Sequence, residues 1–272
     1  MARAGVAARW RRCRFAAVLV LLATAGAGCD NPSATHTNGG GGDRAADPLT
    51  GKLTVLAAAS LTDAFEHART ALLATHPGLA ITNSFAGSQT LVTQVENGAP
   101  ADVIATADTA TMQRLVADGL VDVPRVFARN RLEIVVAPGN PKHVSGLADL
   151  GRGNLKVVLE DPSVPAGRYG RQALQRRGTT VRPVSLPLDV RSELLAVEQG
   201  NADAGIVYVT DVSSAGAAVS GVPIPDSENV IATYPVAVVR ATTNRDAAQA
   251  FVDALLDGAG RQALVALGFV AP

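Results

Sequence analysis

The sequence predicts an α/β fold of two lobes of similar size, each a mostly parallel sheet flanked by helices. Two observations carry this. Short apolar runs rich in Val, Ile, Leu and Ala alternate with longer segments whose apolar residues recur every third or fourth position, which is the βαβ pattern of a parallel sheet. The alternation then starts afresh after about residue 131.

In order, Leu53 to Ala57 is an apolar strand, and Leu61 to Thr75 is a helix with Leu61, Ala64, Phe65, Ala68 and Leu72 on one face. Leu79 to Ser84 is the next strand. A helix follows from about Gln89 with Leu91, Val92 and Val95 inward, ended by Gly98. Asp102 to Thr106 is strand-like, and Asp108 caps a helix stopped by Gly119. In the second half, Leu132 to Ala137 and Leu155 to Leu159 read as strands, Gly167 to Arg177 as a helix closed by Gly178, and Val190 to Gln199 as a helix capped by Asp189. Ala204 to Tyr208 and Tyr234 to Arg240 are strands, and helices over about Arg245 to Leu256 and Arg261 to Leu267 close the chain. Leu132 to Ala137 and Tyr234 to Arg240 read as the two strands that cross between the lobes.

Composition limits the function. The 272 residues are 47% hydrophobic and 18% charged, which suits a soluble globular protein with a substantial core. Aromatics make up 4% and no repeat is visible, so neither a base-stacking platform nor a coiled coil is expected. The formal net charge of +0 conceals an asymmetry, because Arg3, Arg9, Arg11, Arg12 and Arg14 fall in the first 28 residues, which hold no acid. Without them 19 basic residues face 24 acidic ones, so nucleic acid is not an expected partner.

Those arginines precede an uncharged run, Phe15 to Gly28, too short to span a bilayer comfortably and suited to a secretion signal over residues 1–28. Cys29 follows Ala27-Gly28 directly. Only Cys13 and Cys29 are present, so a processed chain has no partner for an internal disulfide. Ala27-Gly28-Cys29 resembles a bacterial lipoprotein processing site, with Gly26 where that pattern usually has an aliphatic residue. The resemblance implies lipidation at Cys29 and a membrane tether, followed by a flexible linker over residues 29–50 that includes Gly39-Gly40-Gly41-Gly42.

The chemistry sits where strands hand over to helices. Ser60, Ser88, Ala166 and Val190 each stand at a helix start, beside small residues. A helix start leaves about four amide N–H groups without an intrahelical partner and carries about half a positive charge. Four such ends aimed at one point would match a dianion without any Arg or Lys. The same residues have a plainer reading, in which Ser60 with Asp63 forms a capping box and Ser88 and Asp189 are ordinary caps.

AAASLTDAF, FAGSQTL, ENGAPADVIATAD, VVAPGNP, DPSVPAGRYGRQAL, DVR, AGIVYVTD, YPVAVV and LGFV, in that order from about Lys52 to the end, are similar to the molybdate-binding proteins of bacterial ABC uptake systems. The resemblance implies the two-lobed type II periplasmic-binding fold with the ligand in the interlobe cleft. It implies lobe 1 over residues 51–131, lobe 2 over 132–236 and a return to lobe 1 over 237–272. It also implies a site in which Ser60, Ser88, Ala166, Val190 and Tyr208 hold molybdate or tungstate through hydroxyls and main-chain amides. No cofactor, no catalytic residue and no direct protein ligand to the molybdenum are expected. The expected partner is a membrane permease, and the protein itself is expected to be an exported, extracytoplasmic monomer. Where the family commonly has Ser, this chain has Gly87, one hydroxyl fewer at the rim.

Two alternatives stand beside this reading: a receptor for sulfate or another small oxyanion, and an exported serine hydrolase using Ser60 or Ser88. No G-x-S-x-G elbow is present, and His67, His76 and His143 lack the spacing of metal ligands. Glu160 and Asp161 before Pro162 read as a turn rather than a metal pair, and Arg168 and Arg191 as surface residues. None of the residues assigned to the site titrates between pH 6 and 9, so binding is expected to be flat over that window.

Overall fold

The computed structural model describes residues 49–272. The signal segment 1–28, Cys29 and the linker up to residue 48 lie outside the described residues.

The first lobe is built on β1 (Thr50–Ala58), β2 (Gly78–Ala86), β3 (Val103–Ala105), β4 (Arg125–Asn130) and, from the far end of the chain, β8 (Ala232–Val238). Their order is β2-β1-β3-β8-β4. β1 runs parallel to β2 and β3, whereas β8 is antiparallel to both β3 and β4. Side chains of β1 alternate between faces. Leu53, Val55 and Ala57 pack with α1 (Thr62–Thr75), α7 (Arg245–Leu256) and α8 (Ala259–Ala266), while Leu56 joins Leu91 and Met112 from α2 (Ser88–Glu96) and α3 (Thr109–Ala117) on the other side. Phe65 of α1 anchors the larger side, its ring 5.9 Å from Phe127 and 5.6 Å from Phe251 between centroids.

The second lobe carries β5 (Leu132–Val136), β6 (Ala204–Tyr208) and β7 (Ser220–Pro223) with α4 (Pro165–Arg177), α5 (Val190–Glu198) and α6 (Val209–Ala215). Its three strands, ordered β6-β5-β7, are antiparallel throughout, against the mostly parallel sheet expected. The expected strand Leu155 to Leu159 contributes only single parallel bridges, Val157 with Ala204 and Val158 with Ser185.

The crossings also differ from expectation. β8 lies in the large sheet over its whole length, so the chain is back in the first lobe by Ala232 rather than residue 237, and the segment before β8 makes the crossing. Arg131 alone separates β4 from β5. Asn229 ties the two crossings together: its side-chain amide donates to the Leu132 carbonyl at 2.8 Å, and its Oδ1 accepts from the Leu132 amide at 3.0 Å. Both crossings are therefore short and pinned to each other, the arrangement of a hinge.

Candidate functional site

Between the lobes lies a small cavity of about 20 Å³. This is below the roughly 300–1,000 Å³ of pockets that hold drug-sized ligands, which points to a small ion. Ser60, Ser88, Ala166, Val190 and Tyr208 all line it, so residues spread over 149 positions of sequence meet at one point. Glu160 lines it as well.

Each strand-to-helix handover supplies one wall. β1 ends in two alanines, and a 3₁₀ turn, Ala59–Leu61, carries Ser60 into α1. Ser60 does not cap α1. Its hydroxyl instead meets the Tyr234 hydroxyl at 3.1 Å, so Tyr234 can donate to Ser60 and leave the Ser60 proton for the cavity. Ser88 is the first residue of α2, not its cap, which is Gly87. Its Oγ accepts the Ala107 amide at 3.0 Å, which turns the Ser88 proton away from that bond. The plainer reading of both serines as caps is thereby corrected, since each hydroxyl is held by a group outside its own helix. Asp189 does cap α5, accepting from the Ser192 amide at 2.9 Å, which leaves the Val190 amide in the first turn without a carbonyl to meet. In α4 Pro165 takes the first position and has no N–H, so Ala166 is the first donor. The Tyr208 hydroxyl is buried with no hydrogen-bond partner among the described residues.

Among the described residues, no side-chain cation lines the cavity. The two arginines nearest in sequence are committed elsewhere. Arg168 of α4 pairs with buried Asp108 and, at 3.0 Å, with the Thr111 hydroxyl, both in the first lobe. Arg191 of α5 pairs with Asp63 of α1 at 2.5 Å. Both are salt-bridged side chains rather than ligand clamps, as expected, and each bridge joins the two lobes. Gln89 adds a third, donating to the Leu188 carbonyl at 3.1 Å. The lobes are shut on the cavity.

Gly87 permits that closure. A Cβ at this position would sit 2.1 Å from the Leu188 carbonyl oxygen of the opposite lobe, so no larger residue fits the shut arrangement. The missing hydroxyl noted in the sequence is therefore also a missing obstacle.

Glu160 is the site residue that sequence reasoning did not assign. Its carboxyl is buried, and Oε1 has no hydrogen-bond partner among the described residues. Behind it lie Glu193, which accepts the Glu160 and Ile206 amides at 2.8 and 2.6 Å, and Asp211, which accepts the Tyr208 amide at 3.1 Å. Burial, then repulsion from Glu193, Asp211 and Asp189, pushes Glu160 well above the usual carboxylate range. Burial likewise pushes Glu193 up to about 8, against the pull of its two amide donors, and Asp211 up to about 7. Its neighbours in the sequence, Leu159 and Asp161-Pro162, carry no signal of this burial.

A fold of two sheets closed over a small, donor-lined cavity is that of a binding protein, and comparisons agree. A family model described as bacterial extracellular solute-binding protein matches residues 53–270. The chain belongs to this family. A relative named molybdate-binding protein ModA, from Mycobacterium tuberculosis strain H37Rv, is 41% identical over 221 residues, spanning 81% of this chain and 85% of the relative. Among solved structures, the periplasmic molybdate-binding protein of Azotobacter vinelandii superposes with a TM-score of 0.70 at 20% identity, covering 81% of this chain and 99% of the other. The sulfate-binding protein SubI of Mycobacterium tuberculosis H37Rv reaches 0.71 at 22% identity, with 81% and 86% covered. At these identities the two structures speak for the fold alone, which two different ions share.

Replacing Gly87 by valine should hold the lobes apart. Oxyanion binding should weaken by about tenfold or more, in line with overpacking costs of about 1–3 kcal/mol. Small-angle scattering should show a larger radius of gyration at saturating anion than for the wild type. An unchanged affinity would mean that the shut arrangement is not the binding state.

Proposed function

We propose that this protein captures molybdate, and tungstate with it, outside the cytoplasm and delivers it to the membrane permease of an ABC transporter. Ser60, Ser88, Ala166, Val190 and Tyr208 hold the ion. The observation that carries this reading is the meeting of four helix starts, two from each lobe, on one buried cavity with hydroxyls beside them. At about half a charge each they supply about two positive charges, the complement of a dianion. The 41% identity to a protein named for molybdate binding supports molybdate over other dianions. The tether at Cys29 rests on the sequence pattern around it, and keeps the receptor beside its permease.

Binding without turnover fits the hydrogen bonds of the two serines. Ser60 is bonded to a tyrosine and Ser88 to a backbone amide, and neither arrangement supplies the general base that a hydrolytic serine needs.

Thermal denaturation against molybdate, tungstate, sulfate and phosphate tests the assignment. At a thousandfold excess over its dissociation constant a ligand adds about 4 kcal/mol, which for a chain of this size raises the melting temperature by roughly 8–16 °C. Molybdate and tungstate should do so. Sulfate, being smaller, stretches the same hydrogen bonds and should fall short at equal concentration, and a sulfate shift equal to that of molybdate would contradict the assignment.

The side chains give a second test with opposite signs in two measurements. Ser60→Ala and Tyr208→Phe each remove a hydrogen bond to a charged ligand, so affinity should fall about tenfold to a hundredfold, or about 1.5–3 kcal/mol. Because the Tyr208 hydroxyl has no partner, Tyr208→Phe should leave the ligand-free protein as stable as before or more so. Ser60→Ala also deprives Tyr234 of its partner and should lower ligand-free stability. Loss of stability with unchanged affinity for Tyr208→Phe would make that tyrosine a core residue only.

A further inference from the structure

We propose that the Glu160 side chain carries a proton into the anion cavity and donates it in a hydrogen bond to the bound oxyanion, so that capture of the dianion is coupled to one proton on this residue. This rests on the oxyanion-receptor reading above and names a selectivity group that the reading did not contain.

The cavity geometry leads to it. Apart from Asp189, whose carboxylate oxygens are taken up by the Ser192 amide and hydroxyl, the other polar groups of the wall can donate: first-turn amides and the hydroxyls of Ser60, Ser88 and Tyr208. A carboxylate only accepts, and an ionised Glu160 would set a negative charge against a dianion with no water between them. A protonated Glu160 adds one more donor. Its Oε1 is the oxygen free for that purpose, buried and unpartnered. Gly167 fixes the position: a Cβ there would come within 2.0 Å of the Asp161 carbonyl and 2.8 Å of that of Glu160, so only glycine lets this backbone lie against the start of α4.

The groups around Glu160 favour the neutral form. From α5 come Glu193 and the capping Asp189, from α6 Asp211, and from β6 the neutral Tyr208 hydroxyl. The cation of α4 that reaches this region, Arg171, donates to the Glu160 main-chain carbonyl at 2.7 Å and to that of Gly167 at 2.9 Å, leaving the carboxyl uncompensated. Burial and these acids keep the proton on, with the Gly167 amide pulling the other way. The sign follows by linkage. A bound dianion raises the proton affinity of Glu160 further, so binding takes up a proton wherever the ligand-free carboxyl is ionised, and affinity falls as pH rises through that range. The flat pH profile expected from the sequence is thus replaced by one that declines on the alkaline side.

Titration calorimetry with molybdate on the purified protein from pH 6 to 9.5 tests this, with Glu160→Gln alongside. The glutamine amide donates without titrating. The wild-type dissociation constant should rise with pH, approaching about tenfold per unit where the free carboxyl is ionised. Glu160→Gln should bind within about threefold of wild type at pH 6 and lose most of the slope, the remainder belonging to Glu193 and Asp211. Coincident slopes, or a flat wild-type profile, would overturn the proposal. Should the variant fold poorly, the wild type alone decides: heats measured in buffers of different ionisation enthalpy should report proton uptake over the pH range where the dissociation constant rises, and none at any pH overturns it. Phosphate binding as tightly as molybdate at pH 8.5 would also overturn it, since that requires Glu160 as an ionised acceptor. If the wild type ignores molybdate but binds sulfate, the ligand assignment fails, and the same series with sulfate still decides Glu160. If no oxyanion binds, both readings fall together.

Discussion

The structure is organised around backbone amides that cannot be satisfied by their own helices. Four helix starts bring such groups to one buried cavity, and a buried donor left without a partner is costly. An anion satisfies several at once. The small residues at the ends of β1 and β2, Ala57 to Ala59 and Ala86-Gly87, follow from this constraint, because bulk there would keep an ion from the amides. So does the division into lobes, since donors from both sides are needed to surround one ion.

With no side-chain cation among the described residues of the cavity wall, Arg168 and Arg191 are left to join the lobes. Arg168 and Arg191 each cross from the second lobe to an acid of the first, and they do so at the rim of the cavity rather than in it. Arg191 and Asp63 are partly exposed, so that pair is worth about 0–1 kcal/mol and biases the shut state without locking it. A receptor that must release its ion to a permease needs such a bias rather than a lock. Gly87 sets how closely the lobes can approach, and Asn229 pins the two crossing segments to each other.

Much of this was legible in the sequence, and the reasons are local. Helix starts announce themselves through Asp108 and Asp189, and the βαβ periodicity of the first lobe follows from side chains that alternate across β1. The five residues named from motif resemblance line a single cavity. Less legible was anything set by pairing at a distance. β4 reads as charged because Arg125 and Arg129 face outward, so RVFARN does not resemble a strand until β8 lies beside it. The second sheet is antiparallel because β5 is sandwiched between β6 and β7, and no local signal records that neighbourhood. Glu160 beside Asp161-Pro162 reads as a turn acid. Only the packing of Glu193 and Asp211 behind it shows a buried carboxyl on a residue that lines the cavity.

The central claim is that main-chain amides and hydroxyls, not guanidinium groups, balance the bound charge. A crystal structure of the protein with tungstate, whose strong scattering fixes the ion without ambiguity, tests it most directly. The account predicts the ion in the interlobe cavity, its oxygens about 2.7–3.2 Å from the amides of Ala166 and Val190 and the hydroxyls of Ser60, Ser88 and Tyr208, with every Arg head group more than about 4 Å away. An ion seated outside this cavity, or one clamped directly by Arg168 or Arg191, would contradict it.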